Sequence, residues 1–314
     1  MKIKSKMVAA AHSSRMLSCV FAGALRLVQP WSLKSKIEEA EARFEVTEKE
    51  SRKNRFDLYY SRLYYSIGPE EYYRYHFPRL SDAGRKQFVG DHESDPFFDR
   101  ITPENMRVLF KNKFATYTRF KKYYVREATK VETPEDFENF EIFCSSRKEV
   151  VLKPLALHQG RGVRKIVISE IGDHHAFFDE LLAGGGAVVE ELVEQDERMA
   201  VFHPQSINTV RVVALNEADN VQIVACSVRL GVGDSFVDNG CLSCGVDPES
   251  GVIISMGREA HGKGRFLFHP DTGKQILGFH IPDWDAMRAM VIEVSSSVPE
   301  QPVIGWDVAL SNKG

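Results

Sequence analysis

The 314-residue chain has no apolar run long enough to cross a bilayer, which takes about 20 residues. The best candidate, 16–28, is short and holds Arg26. A basic start followed by residues 7–11 has the outline of a signal peptide, but His12, Ser13, Ser14 and Arg15 interrupt the apolar centre that such a peptide needs. The segment therefore predicts a soluble helix, and the chain a cytoplasmic protein. Cysteine is scarce. Five residues, an odd number, argue against a secreted disulfide framework. Cys241-Leu-Ser-Cys244 has the spacing of half a zinc site, yet no second CxxC or HxxxH follows, so two reduced thiols are expected there. There is no excess of either charge. A net charge of −3 gives no global attraction to nucleic acid, and no nucleic-acid partner is expected. Acid is missing from one place. Residues 1–36 carry Lys2, Lys4, Lys6, Arg15, Arg26, Lys34 and Lys36, and Glu38 is the first acidic residue. That basic start is the expected place for a peripheral membrane or partner-enzyme contact.

Proline and glycine are absent from 34–66. Ile37, Ala40, Glu41 and Phe44 begin a helical spacing that Phe56, Tyr59, Tyr60, Leu63 and Tyr64 continue. The tyrosine doublets at 59–60, 64–65, 72–73 and 123–124 fall on helical faces, which suits packing between helices better than base stacking. Thr102-Pro103-Glu104 reads as an N-cap, a proline in the first helical position and an acid in the first turn, and Thr133-Pro134-Glu135-Asp136 repeats the device. Strands and helices then alternate: strands at 149–155 and 163–169, a helix at 174–183, a strand at 187–193. Two long strands, 206–215 and 221–230, precede short strands with turns, a helix capped by Asp283 and a last strand at 302–310. The expected organisation is an N-terminal helical region over 1–100 and two α/β subdomains over 101–193 and 194–314.

Four features could carry chemistry. Lys153 sits in an apolar strand, where a cation is costly unless it meets an anion. The turn after it, Gly160-Arg161-Gly162, offers free backbone N–H groups, and together they suit nucleotide phosphates. This turn is neither a P-loop nor a dinucleotide fingerprint. The strand 188–193 runs into a linker that can read adenine with its backbone, and Glu194, Asp196 or Glu197 could hold ribose hydroxyls. Arg211 and Arg229 share one face of a hairpin if its loop is symmetric about Ala218, and two guanidinium groups there suit a phosphate or a carboxylate. In the last strand Ile304, Trp306, Val308 and Leu310 form a bulky face, while the small face leaves Asp307 room to hold Mg²⁺ in a cleft.

These pieces stand in the order found in ATP-grasp enzymes. More narrowly the chain resembles the sugar-transfer-associated ATP-grasp proteins tied to surface polysaccharide genes. The similarity rests on Asn112-Lys113, VLKPLALHQGRGV (151–163), VVEELVEQ (188–195), SINTVRVV (206–213), VRLGVGDSFVDNG (228–240), HPDTG (269–273) and GWDVAL (305–310), with PEEYYRYHFPRLSDAGR (69–85) ahead of them. The resemblance implies an α+β ATP-grasp fold, two α/β subdomains sandwiching ATP, behind a helical lead-in. It implies Lys113 and Lys153 on the phosphates and Gly160, Arg161 and Gly162 as the loop that closes over them. Glu190, Glu191, Leu192 and Val193 would be the adenine hinge, with an acid from Glu194, Asp196 or Glu197 on the ribose. Arg211 and Arg229 would be catalytic, Asn208 would help orient them, and Asp307 would bind the metal. The implied activity is an ATP- and Mg²⁺-dependent ligase that activates a small carboxylate as an acyl phosphate for an amine or other nucleophile. The Glu-x-Asn that completes the family's metal site is not seen after Asp307. The alternative is therefore a nucleotide-binding module or pseudoenzyme without turnover.

Overall fold

The computed structural model describes residues 14–28, 31–155, 157, 161–217, 220–234, 241–259 and 264–313. The chain divides into two units, one through Ile101 and one from Thr102.

The stretch without proline or glycine folds as helices. The first unit holds α1 (Arg15–Val28), α2 (Trp31–Arg43), α3 (Glu48–Tyr64), α4 (Pro69–Arg74), α5 (Asp82–Arg85) and α6 (Asp91–Ile101). Thr47 and Glu50 form a capping box that starts α3. Ile37, Leu58, Tyr59, Tyr72 and Phe77 fill the core. Its tyrosine doublets are packing residues. The Tyr72 hydroxyl donates to Asp57 at 2.6 Å and Tyr73 to Glu41 at 3.0 Å. Those acids also pair with Arg85 and Arg55, so ring burial leaves neither hydroxyl unsatisfied. Among the described residues no helix is long and apolar enough to cross a membrane.

The second unit opens with α7 (Glu104–Lys111) and α8 (Lys113–Arg119), followed by β1 (Ala128–Val131), α9 (Phe137–Ser145), β2 (Glu149–Pro154), β3 (Arg164–Val167), α10 (His174–Ala183) and β4 (Ala187–Glu191). The strands form an antiparallel sheet in the order β1-β4-β2-β3. Alternation sends Val131, Val150, Leu152, Ala187 and Val189 to the side that α9 and α10 cover with Phe140 and Phe178. Lys153, Val151, Val188 and Glu190 are left on the other face.

After α11 (Glu197–Ala200) come β5 (Thr209–Glu217), β6 (Asn220–Leu230), β7 (Leu242–Val246), β8 (Gly257–Glu259), β9 (Arg265–Phe266), α12 (Trp284–Ser296) and β10 (Val303–Ala309). They build a second antiparallel sheet, β10-β5-β6-β7-β8-β9. Val210, Val212, Val228, Leu242 and Cys244 pack on Trp284, Met287 and Val291 of α12. Cys241 and Cys244 are both buried, and burial, helped by Cys241, pushes the Cys244 thiol up to about 12.

Three local expectations need correction. Pro103 itself takes the cap position of α7, since its own nitrogen has no hydrogen to leave unpaired. Asp283 stands at the start of α12 with φ 54°, and its side chain makes no capping bond. Its carboxylate goes instead to Arg198, at 2.5 Å. The hairpin β5–β6 is not symmetric about Ala218, which with Asp219 lies outside the described residues. Near the turn Leu215 faces Gln222, which would split the arginines between faces. A bulge beside Val213 and Ala214 restores the parity, so Arg211 faces Ser227 and Thr209 faces Arg229.

Candidate functional site

Lys153 in β2 lies opposite Val188 of β4, one pleat from Glu190 on the same face. Its Nζ is 2.6 Å from Glu190 Oε2. Arg126 Nε lies 2.7 Å from the same oxygen, as an ion pair without an aligned hydrogen bond. Burial works against the Glu190 carboxylate, but Lys153 and Arg126 outweigh it and hold its pKa below the usual range. For Lys153 burial dominates. It lowers the ammonium pKa against the partial offset of Glu190. Lys113 Nζ donates to the carbonyls of Pro154, Leu155 and Leu157 at 2.9, 3.2 and 2.8 Å, which uses all three of its protons. Burial and then the nearby charge of Lys153 lower its pKa as well. Two cations thus sit at the root of the glycine turn. Gly162 has φ +72°, and a Cβ there would come within 2.9 Å of Leu157 Cδ1. Arg161 is exposed, and Gly160 lies outside the described residues.

Of the expected adenine hinge, Glu190 and Glu191 are the last two residues of β4. Glu190 is laddered between β1 and β2, and the Glu191 N–H donates to the Glu127 carbonyl at 3.0 Å. The Glu191 carboxylate accepts from Arg147 Nε at 2.9 Å and from Glu127 N at 2.8 Å. Both carboxylates are thus engaged within the protein, and Leu192 and Val193 follow the end of β4. These two line a cleft of about 820 Å³ together with Arg126, Lys148, Glu194 and Asn312. Lys113 and Lys153 are not in its wall; Arg126, which touches Glu190, is the shared member. Asp196 caps α11 and pairs with Arg198 at 2.9 Å, so it is already committed. Glu194, which holds the Asn312 side chain, and Glu197 are exposed.

On the second sheet Asp307 of β10 lies directly opposite Arg211 of β5. Arg211 Nε donates to Oδ1 at 2.5 Å and Nη2 to Oδ2 at 2.7 Å, a two-toothed pair that leaves Asp307 anything but solitary. Gly305 gives the guanidinium room, for a Cβ there would stand 3.1 Å from Arg211 Nη1. Arg229 shares this face through Thr209. The ion pairs of Lys153 and Arg211 therefore close within their own sheets. Asn208 does not join the arginines. It is 1% exposed, donates to the Met199 and His203 carbonyls and accepts from Gly231 N at 3.0 Å. Its position is even where the arginines are odd, so it faces the interior and holds loops together. Among the described residues no group of three His, Cys, Asp or Glu side chains could hold a metal ion. Arg126 went unforeseen because it precedes β1, a four-residue strand with Thr129 and Lys130 in it and little apolar signal.

A helix-backed sheet with a strand lysine, a linker, and a second antiparallel sheet bearing arginines and an acid together define an ATP-grasp fold behind N-terminal helices. Residues 93–314 match the family described as sugar-transfer associated ATP-grasp, and the chain belongs to that family. Similar solved structures include D-alanyl-alanine synthetase A from Vibrio cholerae O1 biovar eltor, at 11% identity and TM-score 0.39, covering 66% of this chain and 53% of that one. An L-amino acid ligase from Bacillus licheniformis is similar at 12% and 0.36, covering 66% and 38%. Carboxyaminoimidazole ribonucleotide synthase from Aspergillus clavatus is similar at 14% and 0.37, covering 66% and 43%. The chain spans about half or less of the length of these structures. No curated protein matches.

Proposed function

We propose that the chain binds ATP, converts a carboxylate to an acyl phosphate and passes the acyl group to an amine or other nucleophile, in the service of surface polysaccharide synthesis. The observation that carries this reading is the pair Lys113 and Lys153. Two lysines brought close together beside a turn whose Gly162 has φ +72° suit a triphosphate, whose negative charge would favour their charged forms against the burial that lowers their pKa values. Adenine would lie in the cleft against Leu192 and Val193, with Glu194 or Glu197 on the ribose. The carboxylate oxygen attacks the γ-phosphorus, the bond to the β-phosphate oxygen breaks and ADP leaves. The nucleophile then bonds to the acyl carbon, loses its proton and expels phosphate. Arg211 and Arg229 would hold the transferred phosphoryl group in place as charge shifts onto it.

The described residues supply no preformed magnesium site, because Arg211 takes both oxygens of Asp307. Asp307 would hold the ion together with phosphate oxygens once the nucleotide draws Arg211 away, and bound magnesium would neutralise phosphate charge. The closed Arg211–Asp307 pair equally favours a second reading, nucleotide binding without turnover. ADP release measured with candidate acids and amines separates the two. Turnover that is lost in Lys153→Ala and in Asp307→Ala supports the ligase. Turnover that survives both changes removes the site assignment.

A further inference from the structure

The first unit turns its most apolar helix face outward. In α1 Met16 is 78% exposed and Val20 61%, and Leu17, Cys19 and Ala24 are exposed beside them. At 3.6 residues per turn Met16, Val20 and Ala24 fall within about 80° of arc, with Leu17 and Gly23 on its flanks and no charged residue inside it. The side that α1 gives to the core is smaller and more polar. Ser18 and Ala22 are fully buried there, with Leu25 packed beside them. Arg15 fixes this rotation. Its Nε donates to the Tyr60 hydroxyl at 3.2 Å, and its guanidinium pairs with Asp82 at 3.2 Å. A helix whose large apolar residues served folding would be turned the other way. Single exposed apolar residues are ordinary, but Met16, Leu17 and Val20 on one helix mark a contact surface. Charge tells what that surface meets. Residues 1–36 hold seven bases and no acid. Lys34 and Lys36 are exposed on α2, the next helix. Nearby acids are already paired: Glu38 with Lys34, Glu39 with Arg43, and Asp82 with Arg15, Lys86 and the Tyr65 hydroxyl.

We propose that α1 docks on the surface of an anionic phospholipid bilayer. Met16, Leu17, Val20 and Ala24 enter the boundary between headgroups and acyl chains, and the bases of 1–36 meet the lipid phosphates. This goes beyond the ligase reading and does not rest on it. Helices of this kind lie in the membrane plane with the apolar face about 5–10 Å deep. Fourteen residues span about 21 Å, short of the about 30 Å of a hydrocarbon core, so α1 lies on the bilayer and does not cross it. A second copy of the chain suits the face less well. The face measures about 20 Å by 10 Å, or about 200 Å², where a stable dimer buries about 800 Å² on each partner. Two copies would also bring their bases together. A bilayer needs no such area, because each base near an anionic surface adds to the apolar contact.

The test is flotation of the full chain with vesicles of phosphatidylcholine alone and of phosphatidylcholine mixed with phosphatidylglycerol, at low and high salt. The chain should float with the anionic vesicles at low salt, several-fold less at high salt, and little with the neutral ones. Val20→Glu should weaken binding about tenfold or more, since it puts a charge where an apolar side chain entered. Ile254→Glu changes an apolar residue of the second unit that is equally exposed, and should stay within about twofold of the parent. Both variants should melt with the parent, because neither side chain is packed. Cys19 supplies a second readout. It is exposed while the other four cysteines are buried, so an environment-sensitive dye can be placed on it in the folded chain. Its emission should shift to the blue on anionic vesicles. No flotation with anionic vesicles, equal flotation with both kinds, equal loss in the two variants, an unmoved dye, or a lower melting temperature in Val20→Glu would overturn the proposal. Dimerisation that Val20→Glu abolishes, without vesicle binding, would give the face to a second copy instead.

Discussion

Glu190 and Asp307 are both acids paired with arginine, yet their surroundings give them opposite weights. The Glu190 side chain is 8% exposed and sits between Lys153 and Arg126. Replacing it by Gln leaves two cations facing each other in a buried place, and breaking a buried pair costs about 3–5 kcal/mol. Its carboxyl is held below the ordinary 4.5. The folded state therefore takes up its proton later than the unfolded chain. Its contribution to stability is complete above about pH 4.5 and fades as pH falls through the lower folded value. Urea unfolding at pH 7 and pH 4 should show Glu190→Gln much weakened at pH 7, with a shallower loss of stability toward acid. Asp307 is 44% exposed and Arg211 35%. Solvent screens such a pair, so Asp307→Asn should change stability by no more than about 1 kcal/mol. Its effect should appear instead in turnover and in the magnesium dependence of ADP formation. A large drop in melting temperature would mean that the pair is structural.

Among elements, the turn after β6 is held by four side chains. His203 Nε2 donates to the Gly233 carbonyl at 2.8 Å and His269 Nε2 to that of Gly231 at 2.7 Å. Asn208 and Asp271 take the amide protons of Gly231 and Gly233. A side chain at Gly231 would collide with Ser206 and the His203 ring, so the turn needs glycine for space. The turn follows Arg229 directly, and holding it fixes where β6 ends. Burial lowers the His269 pKa below the ordinary 6.5, against the bond to Gly231. The unfolded chain therefore binds this proton first, and stability complete above about pH 6.5 falls as pH drops below it. His269→Phe keeps the volume and removes both effects. It should lose about 1–2 kcal/mol at pH 7.5 and show less further loss by pH 5.5, measured by denaturant titration. A variant as stable as the parent at pH 7.5 would deny the histidine this role. None of this could be read from the sequence, where His203 and His269 are isolated residues far apart in the chain. Strands were legible where alternation was strong. Ile304, Val308 and Leu310 are buried and Asp307 open, as the spacing in β10 predicts. The Lys153 strand was legible for the opposite reason, one charge in an apolar run. The partners were not. Glu190 for Lys153 and Asp307 for Arg211 depend on which strands pair and in what register, and the shared face of Arg211 and Arg229 depends on a bulge that no local pattern marks.

At the scale of the whole molecule, each unit buries its own apolar residues. Among the described residues, the helical core of Ile37, Tyr59, Tyr72 and Phe77 is made of residues before Thr102. The two sheet cores, and the small cluster of Met106, Phe120, Val294 and Ile304, are made of described residues after Ile101. Every residue proposed to meet ATP lies in the second unit. With more than 200 residues, that unit is well above the size at which a single core becomes marginal. The family match starts earlier, at residue 93, inside α6. Two shortened chains, 93–314 and 102–314, locate the true edge. If cores alone decide, both should be soluble, unfold cooperatively and bind an ATP analogue within about threefold of the full chain. If only the chain that keeps α6 binds, the helix belongs to the nucleotide domain although it packs with the first unit. If neither binds although both unfold cooperatively, the reading that the second unit alone carries the nucleotide site is overturned.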